Sequence, residues 1–437
     1  MKLRKTFVSI SHNIRNKEQI CLIIYLPVLV MAQTSLNSET EALTLRKLIL
    51  NARKPFVLRN FKMNWKYFEQ SLEEWCLNYD KATNSLTEFE VMPCNEGNQS
   101  PHWERNRKSK RMTLSQFLEK QKLATADKCW IGLNYQRLNN LPAALNEGID
   151  FSRLGFSEVT DECNYWLCSK QTNTPCHYDT YGCNIVVQVF GRKSWLLFPP
   201  KTPLTCTRIP YEESSIYCEE NFFAPNIEEV QQLSKFHSSA YRCILNAKDV
   251  LIVPKHWWHY VEAMDVSLSI NYWIPLENDR EEQLQECIVK ILIERFVKSS
   301  NREERNYILN PNQEDEIKDD SEIFEILKYL HENSKDSGPK VKARRLNVSS
   351  CPYQYLDELE CENLIKDLPE GMVEYLAPMA KGDYEALLNK NAQRFKLIRT
   401  NSELHQLNDI KNSLINSVCA PTVIEQIKKE FFKRYQS

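Results

Sequence analysis

Between Glu39 and about Ala52 the apolar residues Leu43, Leu45, Leu48 and Ile49 recur at helical spacing and predict an amphipathic helix. Lys54-Pro55-Phe56-Val57-Leu58 then reads as a short strand beginning beside a proline. Trp65, Phe68, Leu72, Trp75 and Cys76 mark a second amphipathic helix, and Thr113-Leu114-Ser115-Gln116 is a capping box that opens a third. From Cys129 to Ile274 the rhythm changes to short strands: Tyr165 to Ser169, an alternating Asn184 to Phe190, a turn at Gly191-Arg192, a return over Lys193 to Phe198, then Asp249 to Pro254 and Ser267 to Ile274. Many short strands with turns and a hairpin suggest a double-sheet jelly roll. Leu284, Cys287, Ile288, Ile291, Leu292 and Phe296 follow as one longer helix.

This pattern divides the chain into an extension or targeting segment (1–38), an α/β support (39–128), a jelly-roll core (129–276), a helix after the core (277–309), a charged linker (310–347) with one short helix near Ile323 to Leu330, and a helical C-terminal domain (348–437). The fold class expected is α+β, with the jelly roll at its centre.

At 437 residues the chain is long enough for two or three domains and a sizeable core. A net charge of −2 gives no bulk attraction to nucleic acid or anionic membrane, and only 9 glycines argue against glycine-rich phosphate loops. The 15 cysteines are scattered, without Cys-x-x-Cys pairs or zinc-finger spacing, and read as reduced intracellular thiols rather than a disulfide framework. Ile20 to Ala32 is apolar behind a basic segment. It is too short for a comfortable membrane span, so it is either a signal-peptide core or an upstream extension before a working start near Met31. The thiols favour a cytoplasmic protein, with the nucleus also open. Arg105-Asn106-Arg107-Lys108-Ser109-Lys110-Arg111 is the one dense basic patch, expected as a solvated loop, with a nuclear signal or a site for acidic partners as the alternative.

The candidate chemistry lies in His177-Tyr178-Asp179 and, far downstream, His259 in Trp257-Trp258-His259. On a strand, residues two apart project to the same face, so His177 and Asp179 can grip one metal ion with His259 brought in from another strand. Two imidazoles and a carboxylate leave open positions on the metal, as in non-haem Fe(II) oxygenases. His256 competes with His259 for this role; three residues apart, the two cannot share a strand face. Along Asn184 to Val189, Asn184, Val186 and Gln188 share one face and Ile185, Val187 and Val189 the other, which suggests a wet chamber on the polar side.

Asn173-Thr174-Pro175-Cys176-His177-Tyr178-Asp179, Gln188-Val189-Phe190-Gly191-Arg192-Lys193, Leu197-Phe198-Pro199-Pro200, Asp249 through His259 and Ser269-Ile270-Asn271-Tyr272-Trp273 together resemble a JmjC oxygenase core. The block Thr207 to Ser215 is most similar to the small-heat-shock-protein-associated JmjC proteins, with the asparaginyl-hydroxylase type a relative. The resemblance spans roughly residues 50–290. It implies a cupin-like fold and an Fe(II) site of His177, Asp179 and His259, with no catalytic residue beyond these ligands. It further implies 2-oxoglutarate as cosubstrate, its far carboxylate paired with Lys193 and hydrogen-bonded by Thr174, with Asn184 and Asn271 beside it. An aromatic hydroxyl from the strand around Trp130 to Tyr135, with Tyr135 as the candidate, would sit nearby.

Each residue also has an ordinary reading: His177 as a core or surface histidine, Lys193 as a solvated hairpin lysine, Thr174 as a strand-end threonine, Asn271 as a turn or edge residue, Trp257 and Trp258 as wall and core. The reading that follows is an Fe(II)- and 2-oxoglutarate-dependent oxygenase hydroxylating a protein side chain. Lysine demethylation is a weaker form of it, because no chromatin-reading zinc pattern is present. The rivals are RNA hydroxylation, which the charge does not favour; an interaction protein that binds small heat-shock proteins around a vestigial site; and a zinc or manganese cupin isomerase.

Overall fold

The computed structural model describes residues 38–93, 108–123, 129–142, 145, 148–159, 163–309, 321, 323–328, 355–394 and 406–435. The apolar run Ile20 to Ala32, Arg105 to Arg107 and most of the charged stretch 310–347 lie outside the described residues. No described helix is long and apolar enough to cross a membrane.

In chain order the strands are β1 (Phe56–Leu58), β2 (Thr87–Pro93), β3 (Lys108–Met112), β4 (Cys129–Arg137), β5 (Asn164–Cys168), β6 (Asn173–Asp179), β7 (Cys183–Phe190), β8 (Lys193–Phe198), β9 (Cys206–Glu212), β10 (Ser215–Cys218), β11 (Tyr241–Leu245), β12 (Val250–Val253), β13 (Trp258–Ala263), β14 (Ser267–Ile274) and β15 (Val373–Tyr375). They form two antiparallel sheets. The larger runs β15-β1-β12-β7-β14-β5-β4-β2-β3 and the smaller β11-β8-β13-β6-β10-β9. This is the α+β jelly roll expected, with helices at both ends of the chain.

Side-chain alternation along the strands builds the layers. Ile185, Val187 and Val189 of β7 and Leu268, Ile270 and Tyr272 of β14 point outward into a large core with Leu45, Trp65, Trp75 and Phe117 from the N-terminal region. Leu196 and Phe198 of β8, Cys176 of β6 and Tyr260 of β13 point outward from the other sheet and meet Tyr384 and Leu388 of the helix Lys381–Ala392. Between the sheets lie Val186, Leu251 and Val253 against Trp195, Leu197 and Val261. Gly191, at φ +64°, makes the turn from β7 to β8; a Cβ there would come 2.1 Å from Val266 O, so only glycine fits.

Two expected elements take a different form. The stretch Trp65 to Cys76 is not one helix: Lys66–Glu69 is a 3₁₀ turn, and the helix Leu72–Thr83 starts afresh after Ser71. Ser71 accepts from the Glu74 N–H while the Glu74 carboxylate accepts from the Ser71 N–H, a reciprocal cap that begins a new helix. The described part of the basic patch is not a loop but strand β3, whose Arg111 and Ser109 stand opposite Glu88 and Glu90 of β2. Its Lys108 to Arg111 remain exposed, as charged residues on a sheet edge commonly are. Thr113 caps the helix Leu114–Gln121 with Gln116 as the sequence indicates.

The C-terminal region, besides its helices, adds β15 beside β1 in the larger sheet. Helices Gln406–Val418 and Pro421–Tyr435 pack through Ile415, Cys419 and Ile424 against the helix Asp279–Val297.

Candidate active site

The site opens on the inner face of the smaller sheet, where β6 is flanked by β13 and β10. His177 stands directly opposite His259 across the β6–β13 ladder, and Val261 stands opposite Thr174. Between these two pairs β13 has one residue, Tyr260, and β6 has two, Pro175 and Cys176. That extra residue is a β-bulge, and a proline is at home there because it owes no ladder hydrogen bond. The bulge resets the alternation, so Thr174 and His177, three apart in sequence, line the same cavity while Cys176 turns outward.

His177, Asp179 and His259 bring one ligand atom each to within 4.8 Å of one another. The ring centroids of His177 and His259 are 4.2 Å apart. Each imidazole is oriented by its own backbone: Nδ1 of His177 lies 2.8 Å from Pro175 O and Nδ1 of His259 lies 2.9 Å from Trp257 O. A carbonyl oxygen only accepts, so both rings carry their proton on Nδ1 and present the Nε2 lone pair. Burial holds both imidazoles at about 4; for His177 the nearby His259 adds to the effect. They are neutral at pH 7, the form that ligates a cation.

Asp179 is held just as specifically. Trp273 Nε1 donates to its Oδ2 at 2.9 Å and Asn184 Nδ2 donates to the same oxygen at 3.3 Å. Oδ1, 3.9 Å from His177 Nε2, faces the histidines. Burial pushes this carboxyl above the usual carboxylate range despite the two donors. A cation between the three groups removes that cost. Two neutral imidazoles and a carboxylate, each fixed by a hydrogen bond behind it, fit a divalent transition metal with open positions.

A cavity of about 260 Å³ extends from the triad between the sheets, and Thr174, Asn184, Lys193 and Asn271 all line it. Lys193 is 7 % exposed, donates to Ser269 Oγ at 2.7 Å, and meets no carboxylate within ion-pair distance among the described residues. Its ammonium is pulled below the usual lysine range by burial. Asn271 is neither a turn nor an edge residue: it sits in β14, between β7 and β5, and is 3 % exposed.

His256 lies elsewhere. At φ +67° it ends the turn before β13, and its Nε2 is 3.0 Å from Thr180 O. Gln188 shares the polar face of β7 but does not line the cavity; it donates to Phe190 O and Leu268 O. Trp258 is packed in the outer core and Trp257 Nε1 donates to Arg53 O. Tyr135 is in β4, but its side chain lies outside the described set.

Trp166, Trp195, Ser269 and Trp273 also line the cavity and escape the sequence reading. Parity would have found three of them: Ser269 and Trp273 flank Asn271 at two residues on either side in β14, and Trp195 follows Lys193 by two in β8.

Residues 42–279 match the family described as the cupin-like domain. The chain belongs to this cupin-like family. Among curated proteins it is similar to HSPB1-associated protein 1 of Homo sapiens, 32% identical over 295 residues, which cover 62% of this chain and 58% of that protein. The same protein of Bos taurus is 44% identical over 158 residues, 36% of this chain and 32% of its own length. Lysine-specific demethylase 8 of Danio rerio is 25% identical over 228 residues, 51% of this chain and 54% of that protein. The matches thus span about a third to three-fifths of these relatives' own length.

Proposed function

We propose that this protein is an Fe(II)- and 2-oxoglutarate-dependent oxygenase that hydroxylates a protein side chain. One observation carries the reading: a buried lysine without a carboxylate partner among the described residues shares a cavity with a triad suited to a divalent metal. Leaving an ammonium buried and unpaired is costly, so the cavity calls for an anionic occupant. A dicarboxylate satisfies both ends, one carboxylate on Lys193 and Thr174 and the other at the metal.

When bound, the metal and 2-oxoglutarate supply the oxidising power that inserts one oxygen of dioxygen into a C–H bond. The chain's own residues do the positioning. His177 and His259 offer fixed Nε2 lone pairs, and Asp179 offers Oδ1 because Trp273 and Asn184 occupy Oδ2. Lys193 and Thr174 anchor the cosubstrate, and Val186 and Val261 line an apolar stretch of the wall that keeps water out. The test is succinate release from labelled 2-oxoglutarate. It should require Fe(II) and dioxygen and vanish in Asp179→Ala. No release together with no 2-oxoglutarate binding retires the oxygenase reading.

A second reading has its own support. Relatives are named for association with HSPB1, a small heat-shock protein, and the human one matches 62% of this chain. A small heat-shock protein is therefore the first partner to try. Co-sedimentation of the two purified proteins decides it, and the oxygenase reading does not depend on the result.

A further inference from the structure

The Lys193 ammonium has one hydrogen-bond acceptor among the described residues, Ser269 Oγ at 2.7 Å. That bond crosses the jelly roll. Lys193 begins β8 of the smaller sheet, whereas Ser269 lies in β14 of the larger one. Both residues line the cavity and both are buried, so water competes little for the bond. Ser267, two residues earlier on the same face of β14, is already engaged with the Cys168 thiol at 3.2 Å. A lysine carries its charge on a flexible carbon stem, and left free the ammonium would sweep along the cavity. Pinned to the facing sheet, it stands at one fixed distance from His177, Asp179 and His259, whose strands β6 and β13 share the smaller sheet with β8. A diacid that reaches from the triad to the ammonium has to match that span.

We propose that Ser269 is a positioning residue that fixes the reach of Lys193 and thereby sets the chain length of the diacid the site accepts. The proposal rests on the 2-oxoglutarate reading above and adds to it a determinant of cosubstrate selectivity. Ser269 acts through Lys193 and needs no contact with the ligand. Its hydrogen bond orders the long side chain when the protein folds, so that ordering does not weaken binding when the diacid arrives.

The test is calorimetry under nitrogen on the full chain loaded with Fe(II). The titrants are 2-oxoglutarate, oxaloacetate, which is one carbon shorter, and 2-oxoadipate, which is one carbon longer. The unaltered chain should prefer 2-oxoglutarate to both. Ser269→Ala should weaken 2-oxoglutarate binding about tenfold, the loss of one hydrogen bond to a charged group. The other two diacids should change less, so that the preference narrows on both sides. Ser269→Thr keeps the hydroxyl and should keep the preference. Fe(II) affinity, measured without a diacid, should stay within about twofold in every variant. If Ser269→Ala does not fold, Ser269→Cys retains a side chain of similar shape with a far weaker acceptor and gives the same comparison. A purely structural role would weaken all three diacids in parallel, and added space alone would help only the longer one. Either result overturns the Ser269 assignment, as does unchanged 2-oxoglutarate affinity or an unaltered chain that binds the three diacids alike. Failure of the unaltered chain to bind 2-oxoglutarate overturns it together with the oxygenase reading.

Discussion

Asn271 Nδ2 donates to Asn184 Oδ1 at 3.0 Å, and that bond fixes which end of the Asn184 amide faces Asp179. With its oxygen taken, Asn184 turns Nδ2 to Asp179 Oδ2. Trp166 Nε1 in turn donates to Asn271 Oδ1 at 2.8 Å. The three bonds form a one-way chain of donors from β5 through β14 and β7 to the carboxylate. Replacing Asn271 by Leu breaks it at near-constant volume and leaves the Trp166 N–H without an acceptor. Metal affinity should fall about tenfold, within the usual range for groups that orient a ligand. Titration with Fe(II) under nitrogen measures it; an unchanged affinity would mean that Trp273 alone holds Asp179.

The two downstream histidines should separate cleanly. His259→Ala removes a ring that faces His177 and should abolish tight Fe(II) binding, whereas His256→Ala should spare it. The opposite outcome would move the ligand to His256.

Lys193→Ala should cost about 2–5 kcal/mol of 2-oxoglutarate binding, as for one partner lost from a buried charge pair. That is roughly thirtyfold or more, with Fe(II) binding retained. Lys193→Arg should recover only part, because a planar fork does not replace a point charge beside Ser269. Thr174→Val should cost about 1–3 kcal/mol. Calorimetry on the three variants checks the order.

The metal-free protein should lose stability on mild acidification. Unfolded histidine titrates near 6.5, whereas burial holds His177 and His259 at about 4. Between those values the unfolded chain takes up protons that the native site refuses. The stability present above about 6.5 is therefore lost as pH falls toward 4, with a limiting slope of roughly 1.4 kcal/mol per pH unit for each histidine. Asp179, pushed upward by burial, works the other way and blunts the slope, so Asp179→Asn should steepen it. Urea midpoints across pH 4–7 read this directly; a flat profile would contradict the burial of both rings.

Arg208 and Glu286 form a bidentate pair, 3% and 4% exposed, that ties β9 to the helix Asp279–Val297. Glu286→Ala should destabilise by about 3–5 kcal/mol, because it strands a buried guanidinium. Arg208→Met with Glu286→Leu should recover most of that loss in a urea melt. A double variant as unstable as the single one would give the pair a net stabilising role.

The alternation of β7 makes Asn184 legible in the sequence as a polar position opposite apolar ones, whereas Asn271, by default a turn or edge residue, comes only with the family resemblance. The ligand strands themselves are harder to read. Between them β6 and β13 carry a proline, two histidines and a tryptophan instead of a run of β-branched residues, and the bulge at Pro175-Cys176 breaks the two-residue period that would otherwise reveal β6. The triad is legible through its motif. Its supporting donors are legible only in part: parity with Asn271 places Trp273 on the cavity face, whereas Trp166 is as plausible in a dry core as in a polar wall. The three residues of β15 carry too little period to be read alone, whereas β1, equally short, is legible because Pro55 marks its start.

The pairing of β1 with β15 has a consequence for the order of assembly during synthesis. Leu58 meets Val373, and Arg59 meets Glu374 across a sequence separation of 315 residues. The strands of the jelly roll are complete by Ile274, so its inner partnership of β1 with β12 is available to a nascent chain well before β15 emerges. Until then β1 is an open edge able to accept a strand from another chain. The last third of the protein thus acts on the first as a late closure, and translation speed between residues 274 and 375 sets how long that edge stays exposed.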